Sequence, residues 1–201
     1  DGVYMELCYA SHAICRVRCL VQAPIPASLA CPDCGIAYAH SSTRFDALPT
    51  PFCDQMKARN CVVIKPSVGF FQTYNLGDDL HIGLADSNGT VHSFWTDGIV
   101  AEPSSWDKSI VVCTLDADGL DERIGQFIYE NNCRFRVETY RPVEWNCFDF
   151  VIDFMHSLHP GIARLTKGEF VIRYVQKPLK LAIRYCKLWN EVQRRGCITI
   201  K

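Results

Sequence analysis

The sequence predicts an α+β domain preceded by a small cysteine-rich N-terminal module. Three observations carry this expectation. Short β-branched runs bounded by turn residues fill the middle of the chain, runs at helical spacing dominate its last third, and the first 55 or so residues show neither period. Seven of the twelve cysteines fall at or before Cys61, together with Pro24, Pro26, Pro32, Pro49 and Pro51. Residues 1–55 are therefore expected to form a loop-rich Cys/His module ending in a polar linker near His40–Pro51, and residues 56–201 the main domain.

In the main domain Cys61–Lys65 and Gly69–Tyr74 read as short strands. Leu80–Ala85 and Thr90–Trp95 are β-rich runs joined through Asp86-Ser87-Asn88-Gly89, whose Asn-Gly pair signals a hairpin. Ser109–Leu115 is a further strand. Asp121–Asn131 carries Ile124, Phe127 and Ile128 at helical spacing behind an acidic first turn. Arg134–Tyr140 alternates as a strand closed by Pro142. Asn146 is an N-cap for a helix in which Phe148, Val151, Ile152 and Met155 form one apolar stripe. Phe150 and Phe154 add a second apolar side, which predicts burial nearly all round. Another helix starts at Thr166 with Glu169 at capping-box spacing, and a third runs from Pro178 to Arg195 with Gly196 as its C-cap. Cys197–Ile200 predicts an edge strand. Lys180, Arg184, Lys187 and Arg194 lie near one face of the last helix, the pattern of a solvated face or of a partner-binding patch.

Composition excludes several function classes. With 201 residues, 48% hydrophobic and 21% charged, the chain can bury its own core. A formal net charge of -1 gives no global attraction to nucleic acid, and the four tryptophans lack the basic interleaving of a base-stacking platform, so no nucleic-acid partner is expected. No P-loop, dinucleotide fingerprint or paired-carboxylate pattern appears. There is no apolar run of eighteen residues and no signal-peptide pattern, so no membrane span is expected. Cys61, Cys113 and Cys186 sit inside apolar runs, which suits reduced, buried thiols in an intracellular, cytoplasmic protein.

Two constellations carry chemistry. Cys147 follows the N-cap Asn146, where a helix dipole and unpaired N–H groups favour a thiolate. His81 opens the run Leu80-His81-Ile82-Gly83-Leu84, and a strand histidine beside such a cysteine can hold the ion pair of a thiol hydrolase. His92 and Asp149 are candidates for a third, orienting group. The strand histidine precedes the helix cysteine by 66 positions. This order, with His81-Ile82-Gly83 and Asn146-Cys147-Phe148, resembles the circularly permuted papain-like folds, including the PPPDE peptidases and the lecithin–retinol acyltransferase-like (LRAT-like) group.

The second constellation is Cys31-Pro32-Asp33-Cys34-Gly35, which has the shape of a zinc knuckle, with Gly35 allowing the tight turn that directs N–H groups at sulfur. The other half-site must come from His12, Cys15, Cys19 or Cys8. The favoured set is His12, Cys15, Cys31 and Cys34 holding a structural zinc.

Longer blocks resemble the makorin-2 opposite-strand protein family. They are the N-terminal His/Cys residues with Cys31-Pro32-Asp33-Cys34, Cys61-Val62-Val63-Ile64-Lys65-Pro66 running to Phe70, Asp79-Leu80-His81-Ile82-Gly83 with Asn88-Gly89, Asn146-Cys147, and Lys167-Gly168-Glu169-Phe170 through to Gly196. The chain departs from the family pattern at His92 and in the two residues between His12 and Cys15. The functional expectation is an interaction or structural component with protein partners in a larger intracellular assembly, such as a cytoskeletal or ciliary one. The alternative is a thiol hydrolase or acyltransferase with Cys147 as nucleophile and His81 as general base.

Overall fold

Cysteine and alanine pack inside a sheet as small apolar residues do, so strands built from them carry a weak alternation signal. The computed structural model describes residues 6–13, 15, 17–39 and 42–200. Its N-terminal stretch contains strands β1 (Glu6–His12), β2 (Arg18–Ala23) and β3 (Thr43–Leu48), where the sequence suggests only loops. The expected linker contributes β3, an edge strand; its residues His40 and Ser41 lie outside the described residues. Cys8, Ala10, Cys19, Val21, Cys31 and Tyr38 make the core on this sheet.

Five strands form a second sheet: β4 (Cys61–Pro66), β5 (Leu80–Ala85), β6 (Val91–Trp95), β7 (Gly98–Glu102) and β8 (Ile110–Thr114). Their order is β7-β6-β5-β4-β8, antiparallel throughout. The β5–β6 hairpin turns through Gly89 at φ +84°, with Asp86 Oδ1 accepting the N–H groups of Asn88 and Thr90. Helices α1 (Leu120–Asn131) and α2 (Cys147–Leu158) follow. A short α3 (Lys167–Phe170) continues through a π segment, Val171–Val175, into α4 (Gln176–Arg195). Strand β9 (Cys197–Ile200) pairs with β2, giving the first sheet the order β3-β1-β2-β9.

The fold is therefore mixed α+β with two antiparallel sheets. The chain clusters into two compact units, Asp1–Thr50 with Ile183–Lys201, and Pro51–Ala182. The C-terminal segment returns to the first unit through the β2–β9 ladder, Arg18↔Ile200 to Val21↔Cys197, and through the Tyr185 hydroxyl, which accepts the Leu7 N–H at 3.0 Å.

Two expected strands are absent from the second unit. Gly69–Tyr74 is a turn, with the Thr73 N–H donating to Phe70 O at 3.0 Å. Arg134–Tyr140 is irregular with one 3-10 turn (Val137–Thr139), because Thr139 Oγ1 accepts the Arg136 N–H and donates to Arg134 O. The alternation there has another source: Phe135 points inward between Phe94 and Phe150, at ring separations of 5.2 and 5.3 Å. The last helix also begins before Pro178, because the Thr166–Glu169 capping box starts a helical run that never breaks.

Candidate functional site

In the first unit, Cys31 to Gly35 form a tight turn. The Gly35 N–H donates to Cys31 O at 2.9 Å, and Gly35 takes φ +73°, a conformation that suits glycine. The turn puts Cys31 and Cys34 on one side, and the end of β1 with the residues that follow it brings His12 and Cys15 to meet them. The donor atoms of His12, Cys15, Cys31 and Cys34 all lie within 4.8 Å of one another. Cys15 Sγ is 3.7 Å from Cys31 Sγ and 3.8 Å from His12 Nδ1, and Cys34 Sγ is 3.4 Å from His12 Nδ1. A tetrahedral ion with bonds of about 2.3 Å to sulfur and about 2.0–2.1 Å to nitrogen requires edges of about 3.8 Å between sulfurs and about 3.5 Å from sulfur to nitrogen. The three observed edges match that size, so the donor set fits a four-coordinate metal.

His12 is buried, stacked on Tyr38 at 5.2 Å, and its Nε2 takes no hydrogen bond among the described residues. The ring's polar engagement is with the thiols, through Nδ1. Burial works to raise the Cys31 pKa. The N–H groups of Cys34 and Asp33, with Tyr38 and His12, overcome it and bring the thiol down to about 6. Cys15 is pushed the other way, to about 12, by its hydrogen bond with Cys34 and by burial. Tyr38 was not foreseen; its only sequence signal is an aromatic four residues beyond Cys34.

In the second unit, α2 begins as expected. Asn146 Oδ1 accepts the Phe148 N–H at 3.0 Å, and Asp149 returns the capping box by accepting the Asn146 N–H at 2.8 Å. Cys147 and residues 149–154 are buried. Asp149 also pairs with Lys167 at 2.6 Å and with Arg164, while Asp153 holds Arg164 and Arg134. These two buried carboxylates tie α2 to the segments around it, and neither reaches His81.

Cys147 is 2% exposed. Its Sγ lies 4.0 Å from the Leu80 carbonyl oxygen. Burial pushes the thiol up to about 11, against the pull of N–H groups at Ile82, Phe148 and Cys147 itself and of the Lys167 charge. The helix dipole expected to activate the thiol is thus outweighed by the loss of water.

His81 is also buried, 5% exposed, and belongs to the other face of the sheet. Its Nε2 is 3.1 Å from Ser93 Oγ, and its ring packs on Trp95 at 4.4 Å and Trp106 at 5.2 Å. The α2 side of the sheet is marked by Phe94, through Phe135 to Phe150. Successive strand residues point to opposite faces, so Ser93 and His81 face away from α2. Burial, and then the Lys65 charge, lower the His81 pKa to about 4, so the ring is neutral. No hydrogen bond joins His81 to Cys147 among the described residues. His92, the other candidate partner, bonds Asp86 at 3.3 Å.

Residues 46–192 match the family described as DUF4796 C-terminal, and the chain belongs to that family. It is also similar to the human MKRN2 opposite strand protein, with 23% identity over 157 residues that cover 75% of this chain and 70% of that protein. This bears out the relation read from the sequence. His81 and Cys147 fall inside the family span, and the metal-type cluster lies before it. No solved structure matches the chain.

Proposed function

We propose that this chain is a non-catalytic, permuted papain-like protein that serves as an interaction or structural component of a larger intracellular assembly. A cytoskeletal or ciliary assembly is the setting we favour. The fold reading is supported by α2 packing on β5 and β6, with its capped N-terminus at the strand that bears His81. The observation that carries the functional reading is the separate engagement of the two residues. Cys147 is desolvated against the β5 backbone, while His81 is neutral and bound to Ser93 on the opposite face. A thiol hydrolase needs a thiolate and a base within hydrogen-bond reach of each other.

A structural zinc held by His12, Cys15, Cys31 and Cys34 completes this reading. It is supported by the tetrahedral edge lengths and by the soft thiol-rich donor set. Bound there, the ion would cross-link the segment after β1 to the Cys31–Gly35 turn.

The alternative reading, a thiol hydrolase or acyltransferase using Cys147 and His81, draws on the helix-start position of Cys147 behind a formed capping box. The pH profile of Cys147 alkylation separates the two, measured in the intact protein and in His81→Ala. The non-catalytic reading expects slow labelling that rises only above the free-thiol range of about 8.5 and ignores the substitution. Fast labelling near neutral pH, lost in His81→Ala, would overturn it.

A further inference from the structure

The chain carries 21 basic and 22 acidic residues in all, yet no Asp or Glu occurs between Glu169 and Glu191. In that interval α4 places Lys177, Lys180, Arg184 and Lys187, all exposed. At 100° per residue the four fall within roughly 80° of the helix circumference, over about 15 Å of its length. The same helix buries Leu179, Ala182, Tyr185, Cys186, Trp189 and Val192 on the opposite side. None of the four cations has an ion pair among the described residues, whereas Arg194 and Arg195 further along both pair with Glu191. Successive members stand three or four residues apart, so each repels the next and weakens the helix. An acid-free line of unpaired cations, maintained against that repulsion on an otherwise balanced chain, calls for an external anion.

We propose that the exposed face of α4 is a docking surface for an acidic polypeptide segment, rich in Asp and Glu, that lies along Lys177, Lys180, Arg184 and Lys187. The proposal rests on the reading of this chain as an interaction component and names its partner's chemistry. The cations form a narrow line, which suits a linear partner whose carboxylates recur along one edge. Leu181, 53% exposed, flanks the line and offers apolar contact to a protein. Base stacking has no support here, since Tyr185 and Trp189 of the helix are buried. A lipid surface is disfavoured because the helix has no free apolar face to insert; that side is packed in the protein.

The test uses the full chain and a fluorescein-labelled peptide of about 15 residues, three glutamates to each leucine, long enough to span the line. Fluorescence anisotropy should show binding that weakens with salt and falls roughly tenfold or more in Lys180→Gln/Arg184→Gln/Lys187→Gln, while Lys180→Arg/Lys187→Arg retains it. Circular dichroism should show unchanged helicity in both variants. Absence of binding, equal affinity in the glutamine variant, or tighter binding of a thymidine oligonucleotide or of phosphatidylserine vesicles than of the peptide would each overturn the proposal. If the peptide fails to bind while Cys147 stays inert, this surface is wrong and the non-catalytic reading stands; a reactive Cys147 overturns that reading whatever the peptide does.

Discussion

The Nε2 atom of His81 lies 3.1 Å from the Ser93 hydroxyl of the neighbouring strand, while Nδ1 is buried without a hydrogen-bond partner among the described residues. Protonation would place an uncompensated cation beside Trp95 and Trp106, with Lys65 adding repulsion and Glu102 a weaker attraction. The folded pKa is about 4, against about 6.5 for an unfolded histidine.

Between those values the unfolded chain binds a proton that the folded chain does not. Stability from this group is therefore fully present above about pH 6.5 and is lost as pH falls toward 4, by about 3 kcal/mol in all. Urea unfolding at several pH values should show this slope in the parent protein and a flatter one in His81→Gln. Parallel slopes would mean that His81 is not the buried neutral group described.

Metal removal should act on the first unit. A zinc ion present at a thousandfold over its dissociation constant adds about 4 kcal/mol to the folded state. A chelator is expected to lower the melting temperature of the parent protein, and to do nothing further to Cys34→Ser, which lacks one thiol of the cluster. Neither change should touch alkylation at Cys147. A protein that carries no metal by native mass and melts identically with chelator would sink the zinc proposal.

Gly83 allows close strand approach. A Cβ there would stand 2.5 Å from Val91 Cγ1, 3.0 Å from the His92 carbonyl oxygen and 3.3 Å from Ser93 Cβ. Gly83→Ala must push β6 away or strain Val91, at a cost of about 1–3 kcal/mol. A thermal melt checks this, and an unchanged midpoint would contradict the β5–β6 packing.

Features that depend on a few neighbouring residues were legible in the sequence. Asn146 and Thr166 cap helices because a short polar side chain reaches an N–H two or three residues on. The Asn88-Gly89 turn and the Cys31–Gly35 turn follow from the same local chemistry. Even the four-residue cluster was within reach, since spacing limits which cysteines can share an ion. The first sheet was hidden because Cys8, Ala10, Cys19 and Tyr38 supply most of the packing on one of its faces, which weakens the aliphatic alternation that marks a strand.

The sequence by itself determined the α+β class, the helix caps at Asn146 and Thr166, the hairpin, and a short list of metal-type ligands that includes the set brought together. Only the tertiary structure decided that β9 joins β2, and which face of β5 His81 occupies relative to Cys147. Both depend on pairing register between distant segments. A one-residue shift in register would reverse every side chain of a strand, and nothing local to Leu80–Ala85 states which face α2 will cover.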